Sequence, residues 1–516
     1  MSTPRETELK LECDRLDLAA LGSHPLLQGD GEPAAVRSTY FDTPDEDLRA
    51  AGLTLRVRHQ AEARIQTVKA DAGTGAAGLF DRPEWETSIS GDEPDPAAFA
   101  DTPVRDILGS AKDATLAPCF TTVVMRTERL VSHGDARIRA TLDEGRVETP
   151  AGDAPLCELE LELESGTPGD LFALAQALSE TVPLRLGALS KSERGFALRD
   201  GRLSAPSKAG PVVLPADARA ADAFRRIVMA CLRHLRLNEA VFLAGRDPEA
   251  LHQIRVSLRR LRSAFSLFKP VLAHDPRAES LSQAIKCAAE PFGRARNLDV
   301  FLETTLPDEM ARRPGEPGLP ELAERLAADR DRAHAEVAEV LTSTAWRSLL
   351  LDLLSWLETG PWLTGAGADP ARDAPARDFA ADVLERFRKR IRKRGRHLAK
   401  LDPEARHRVR IAGKKLRYGA DFFASLFPDK TARKRHKAFT VALSDLQDHL
   451  GALNDLATAH TVMAGLADGP PGTAASGPAL FAAGLTTADN EAQTGTLLAA
   501  AEEAHADLLD VKPFWR

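Results

Sequence analysis

Apolar and polar residues alternate with a period of two through the first 200 residues, and then the period changes. In a strand, alternate side chains share a face. The opening segment therefore sets Glu6, Glu8, Lys10 and Glu12 on one side and Thr7, Leu9 and Leu11 on the other. Cys157 to Glu164 repeats the design, with Glu158, Glu160, Glu162 and Glu164 against Leu159, Leu161 and Leu163. Between them lie basic strands: Arg56 and Arg58, Lys69, Arg126, and Arg137 and Arg139 alternating with Ile138 and Ala140. Glu84 and Glu86 flank Trp85. One such strand reads as an ordinary half-solvated strand. Their recurrence predicts a closed barrel, apolar outside and charged inside, which is a ligand tunnel and not a packing core.

From about Asp217 the periodicity becomes helical, with long Ala/Leu/Arg/Glu segments and hardly a strand signal. A Gly/Pro/Ser-rich stretch separates the regimes, so the chain divides into 1–200, a linker at 201–216 and a helical region at 217–516. Pro/Gly breaks fall at Arg312–Pro320, at Thr359–Arg377 and at Gly469–Gly472, and the middle one splits the helical region into about 217–358 and 378–516. These halves repeat. His252-Gln-Ile-Arg255-Val-Ser-Leu-Arg259-Arg260-Leu-Arg262 matches His407-Arg-Val-Arg410-Ile-Ala-Gly-Lys414-Lys415-Leu-Arg417 at an offset of 407 − 252 = 155. Gly293–Leu298 matches Gly451–Leu456 at 451 − 293 = 158, as an internal duplication into two related helical bundles would require.

On a helix, positions 0, 3, 7 and 10 lie within an arc of about 80°. His252, Arg255, Arg259 and Arg262 thus form one cationic stripe and His407, Arg410, Lys414 and Arg417 another, widened by Arg260 and Lys415. A single charge run is usually a solvated face, and a single histidine is more often a hydrogen-bonded core residue than a ligand contact. Two matching stripes of mutually repelling cations argue for a long polyanion. The basic runs from Arg386 and Arg433 add to that footprint.

Composition narrows the classes. At 516 residues the chain needs more than one core. No stretch reaches the apolar length of a membrane helix, and the N-terminus lacks an apolar signal core. Five cysteines are scattered without paired spacing, so neither a zinc site nor a disulfide framework is indicated, and a cytoplasmic location is expected. A net charge of −8 argues against general nucleic-acid binding, as do stripes without interleaved aromatics.

Glu6-x-Glu8-x-Lys10 resembles the signature of CYTH domains, the triphosphate tunnel metalloenzymes. Leu55-Arg56-Val57-Arg58, Lys69, Glu84-Trp85-Glu86, Arg126, Asp143-Glu144-Gly145, Glu158-x-Glu160-x-Glu162 and Ser190-Lys191-Ser-Glu-Arg194-Gly follow in the family's order. The resemblance implies an eight-stranded antiparallel tunnel that hydrolyses or cyclises triphosphate compounds with a divalent metal. It makes Lys10, Arg56, Arg58, Lys69, Arg126, Arg139, Lys191 and Arg194 the cations that would neutralise a triphosphate, guanidinium groups suiting bidentate contacts. Carboxylates beside a polyanion need a hard cation between them, which makes Glu6, Glu8, Glu158 and Glu160 the candidate ligands of Mg²⁺ or Mn²⁺. Glu162 and Asp143 are further ligands or water-orienting groups.

The helical region resembles the CHAD domain, on the two histidine-led motifs quoted above; Asn297 stands where many relatives have Asp. That resemblance implies binding of inorganic polyphosphate by the two stripes. The expected fold is therefore α+β and multidomain, and the expected activity is metal-dependent hydrolysis of inorganic triphosphate beside a polyphosphate-binding module. A nucleoside or thiamine triphosphatase, an adenylate cyclase of the same fold, and a non-catalytic polyphosphate scaffold are the alternatives.

Overall fold

A computed structural model describes residues 5–70, 77–109, 115–365, 367, 369–467 and 477–516. The Gly469–Gly472 break lies outside the described residues. Eight antiparallel strands form a closed barrel in the order β5 (Leu79–Ser88), β4 (Ala63–Ala70), β3 (Leu53–Gln60), β2 (Ala34–Asp42), β6 (Ala117–His133), β7 (Ala136–Thr149), β8 (Gly152–Ser165) and β1 (Arg5–Glu12). Pairing of β5 with β1 closes the ring, and a two-residue β9 (Arg185–Leu186) lies on the far end of β1. The register of β1 on β8 sets Glu8 opposite Glu162, Lys10 opposite Glu160 and Glu12 opposite Glu158. Because side chains alternate, this register puts Glu6, Glu8 and Glu12 on one face with Glu158, Glu160, Glu162 and Glu164, and stacks Leu9 and Leu11 against Leu161 and Leu159 on the other.

The outward leucines are not half-solvated: Leu9, Leu159 and Leu161 are fully buried. Helices Arg15–Gly22 and Pro168–Ser179 lie on β1, β7 and β8, and Thr344–Thr359 lies on β9 and on the 168–179 helix. On the β3–β4 side, Leu55, Val57 and Val68 pack with Phe99 and Val104, and Trp85 joins that outer cluster. The barrel therefore has its hydrophobic core outside and its charges inside.

Two compact units are distinguished. One comprises Met1–Ala209, Val228–Ile254 and Leu341–Thr364; the other comprises Gly210–Ile227, Arg255–Val340 and Gly365–Arg516. Helices dominate the second unit. Ala376–Arg394, Pro403–Phe423, Lys430–Ala467 and Gly477–Asp510 succeed one another after the middle break, and the Arg312–Pro320 break separates helices Leu306–Arg312 and Gly318–Thr342. The first histidine motif lies on helix Pro248–Leu267 and the second on Pro403–Phe423. The two elements of each duplicated motif pair lie close together in both cases. Arg255 Nη1 donates to Gly293 O at 3.0 Å, while a Cβ on Gly451 would lie 3.9 Å from Arg410 Nη2. No helix among the described residues is long and apolar enough to cross a membrane.

Candidate active site

The barrel encloses a cavity of about 380 Å³. Its wall includes Glu6, Glu8, Lys10, Arg56, Arg58, Lys69, Arg126, Arg139, Glu160, Glu162 and Lys191, all expected from the alternation and motifs. Asp143 and Glu158 lie just beneath, fully and almost fully buried, in contact with the lining lysines. Arg194 stands apart: it donates to Pro155 O at 2.9 Å and reaches Glu12 at 3.9 Å, at the barrel end. Arg82 was missed. It shares the parity of Glu84 and Glu86, which was the available signal, and it lies 3.2 Å from Glu8 and 3.5 Å from Glu6.

The charges sort into two groups. In the first, the carboxylate oxygens of Asp143, Glu158 and Glu160 lie within 4.8 Å of one another. Cations already fill the gaps. Lys10 Nζ is 2.8 Å from Glu158 and contacts Glu160; Lys191 Nζ is 2.8 Å from Asp143, 2.9 Å from Glu160 and contacts Glu158. Arg126 grips Asp143 with both Nε and Nη2, at 2.8 and 2.7 Å. Burial alone would raise Asp143 and Glu160, but the ammonium and guanidinium groups outweigh it and hold both below the usual carboxylate range. Burial would lower Lys191, but Asp143, Glu158 and Glu160 lift it well above the ordinary lysine value.

The second group is short of positive charge. Lys69 lies 2.6 Å from Glu6 and 3.1 Å from Glu84. Burial, and then Glu160 and Glu6, push Glu8 up despite Lys69 and Arg82. Burial and Glu6 push Glu162 up to about 7, with Arg139 3.7 Å away only partly compensating. On the facing wall guanidinium groups crowd together. Arg58 donates to Glu86 at 3.1 Å, yet burial and Arg56 hold it below its ordinary value; burial would lower Arg56 too, but Tyr40 and Glu84 outweigh it and lift Arg56. The buried Nε atoms of both have no hydrogen-bond partner among the described residues. The lumen thus carries carboxylates short of positive charge in one part and clustered guanidinium groups with spare donors in another. Such a surface accommodates an anion and a cation together better than either alone.

Lys191 enters the lumen from the start of helix Lys191–Arg199. Ser190 caps it: Glu193 N donates to Ser190 Oγ at 3.2 Å, and Ser190 N donates to Glu193 Oε2 at 2.9 Å. Before the cap, Gly187 lies so close to β1 that a Cβ there would be 2.5 Å from Lys10 Cγ. Glycine is required by that approach.

In the helical unit the two stripes share one field. Burial, then Arg410, Arg259 and Arg255, lower Lys414 to about 7. Burial, Arg259 and Arg296 lower Arg255 to about 10. A cavity of about 580 Å³ is lined by Arg259, Arg262, Lys414 and Lys415. Two stripe residues depart from the pattern. Arg260 is 7% exposed and stacks on the Phe422 ring at 4.8 Å, and Arg417 lies over the Tyr418 ring at 5.4 Å. His407 Nδ1 lies 3.2 Å from Asn454 Oδ1, and His252 is half-buried.

The CYTH domain family matches residues 4–196 and the CHAD domain family matches residues 226–464. An inorganic triphosphatase of Haemophilus influenzae is 31% identical over 162 residues, which is 31% of this chain and 45% of that protein, so the match spans less than half of the relative. The crystal structure of the CHAD domain from the plant Ricinus communis is 32% identical, with a TM-score of 0.51, covering 60% of this chain and 98% of that one. A putative adenylyl cyclase from Hippeastrum, described as having a dominant triphosphatase activity, is 21% identical with a TM-score of 0.30, covering 38% of this chain and 97% of that one. The chain is a CYTH domain followed by a CHAD domain.

Proposed function

We propose that the barrel hydrolyses inorganic triphosphate with Mg²⁺ or Mn²⁺, and that the helical region binds inorganic polyphosphate. The observation that supports the first part is the pairing, in one lumen, of buried carboxylates pushed up by one another with guanidinium groups whose buried Nε atoms have no partner among the described residues. A linear triphosphate supplies anionic oxygens for Arg56, Arg58, Arg126, Lys69 and Lys191. A divalent ion held between that phosphate chain and Glu6, Glu8 and Glu162 would relieve the charge that pushes Glu8 and Glu162 up. The Asp143, Glu158 and Glu160 set is the tighter cluster, yet Lys10, Lys191 and Arg126 already neutralise it. When bound, the ion would polarise phosphoryl oxygens and lower the pKa of an attacking water. The chain's own residues do the rest, which in phosphoryl transfer is largely positioning and charge stabilisation. Arginines hold the phosphate chain bidentately, and the buried lysines supply fixed charge at the developing pyrophosphate leaving group.

Inorganic triphosphate is favoured over a nucleotide because the described lining residues offer a base no free aromatic face. Tyr40 is the one aromatic side chain among the described lining residues, and its ring already stacks on Phe120 at 4.6 Å. Trp85 faces the outer core. The test is release of phosphate from tripolyphosphate, ATP and thiamine triphosphate, each with Mg²⁺, Mn²⁺ or chelator. Turnover of tripolyphosphate should dominate and vanish with chelator; no turnover under any metal would end the enzymatic reading.

For the helical region, the support is the convergence of Arg255, Arg259, Arg410 and Lys414, where burial and neighbouring cations lower Arg255, Arg410 and Lys414. Inorganic polyphosphate supplies the repeated charge such a surface lacks. Arg260, packed on Phe422, serves the helix packing instead.

A further inference from the structure

We infer that Arg233 and Arg236, on the helix Ala220–Gly245, are positioning residues for the tunnel: they hold the segment Leu186–Glu193 so that Lys191 stands in the lumen. Both lie beyond the CYTH match at residues 4–196 and inside the CHAD match at 226–464. Both nevertheless belong, with the barrel, to the first compact unit.

The segment between β9 and the 191–199 helix has no ladder of its own, so each buried carbonyl needs a partner from elsewhere. Gly187 is held by β1 and its neighbour: its N donates to Lys10 O at 2.9 Å, and its O accepts from Gly78 N at 2.9 Å. The carbonyls on either side are held by the two arginines. Arg236 Nε donates to Leu186 O at 2.9 Å, and Arg233 Nη1 donates to Ala188 O. Arg233 Nη2 also donates to Glu193 Oε1 at 2.7 Å, leaving Glu193 Oε2 to accept from Ser190 N in the cap that starts the Lys191 helix. One guanidinium therefore links the loop to the cap on both sides of Lys191.

Arg236 is anchored in turn. It is 3% exposed, pairs with the fully buried Glu239 and lies 3.6 Å from Glu12, the last residue of β1. Glu239 Oε2 accepts from Trp346 Nε1 at 3.2 Å. Residues three apart on a helix share a face, so Arg233 and Arg236 act on the loop together. A buried lysine among three carboxylates tolerates little displacement, and an arginine brace with planar, directional donors restricts it better than a flexible ammonium could.

The test uses the full chain as Arg233→Ala, Arg233→Lys, Arg236→Met and Glu193→Gln, the last weakening the same link from the other end by removing its charge and one acceptor oxygen. Each is exposed to trace acetic anhydride, and acetylation of Lys191 and Lys69 is read by mass spectrometry. Arg233→Ala should raise the Lys191 rate about tenfold, as expected for losing a charged hydrogen bond that limits local opening. Lys69 should not change, Glu193→Gln should move Lys191 the same way, and Arg233→Lys should fall between. The catalytic arm rests on the triphosphatase reading: kcat on tripolyphosphate should fall about tenfold in Arg233→Ala but not fall further when that change is added to Lys191→Met. Unchanged Lys191 reactivity, or an equal rise at Lys69, overturns the inference. A wild-type protein that leaves tripolyphosphate intact overturns the proposed activity, and the acetylation comparison still decides this one.

Discussion

The carboxylates of the lumen differ in how they are balanced. Asp143 and Glu160 are held ionised by lysines and an arginine, whereas Glu8 and Glu162 are buried beside other carboxylates. An acid whose folded-state pKa is raised opposes folding above its unfolded pKa, so Glu8 costs stability at neutral pH when no metal is bound. Glu8→Gln should therefore keep or raise the melting temperature in chelator while tripolyphosphate turnover falls by about 10² or more. Lys69→Ala should lose activity to a similar degree and also lower the melting temperature, because it leaves Glu6 with only Arg82 at 3.5 Å and Glu84 with only Arg56 at 4.0 Å. Calorimetry with paired rate measurements separates the two. Strand parity made most of these residues legible: it placed Glu6, Glu8, Lys10, Glu158, Glu160 and Glu162 on inner faces. It could not show that Lys10 and Lys191 neutralise one acidic set and leave the other exposed to repulsion, because that depends on neighbours across the barrel. Arg82 escaped for a simpler reason, since Pro83 interrupts the alternation just where its parity would have counted.

At the scale of elements, strands were readable because a period of two survives wherever one face is charged and the other leucine-rich. Ring closure was not, since β5 joins β1 across more than 60 residues of chain and no local pattern specifies it. The stripes were readable as helical faces, but Arg260 turns into the packing against Phe422, which only tertiary structure reveals. The tight approach of Gly187 to Lys10 yields an element-level prediction. Gly187→Ala should cost about 1–3 kcal/mol through overpacking and should depress turnover by displacing the loop before Lys191. Gly22→Ala, at a helix end with nothing within 4 Å of a new Cβ, should be neutral or slightly stabilising. Urea denaturation of both variants, compared at constant m value, checks the contrast.

For the whole molecule, the two functions differ in what they demand of the solvent. Polyphosphate binding to the stripes should weaken as salt rises, because screening acts on many partly exposed cations together. It should also depend on pH. Lys414, at about 7 beside Arg410, Arg259 and Arg255 with Asp455 as the opposing charge, is only partly protonated near neutrality. A polyanion favours the charged form, so binding takes up a proton and affinity falls as pH rises through 7. Titration calorimetry at pH 6 and 8.5 should show tighter binding at the lower pH, with the difference reduced in Lys414→Met; Arg255→Ala/Arg410→Ala should weaken binding at both. The tunnel makes the most direct claim of all, that one enclosed lumen takes a triphosphate chain bearing no nucleoside together with a divalent ion. Phosphate release by the full chain from tripolyphosphate, compared with ATP at equal concentration with and without Mg²⁺ or Mn²⁺, tests it directly. Metal-dependent turnover that strongly prefers tripolyphosphate is the predicted result; turnover of ATP at an equal or greater rate, or none of tripolyphosphate with either metal, would contradict it.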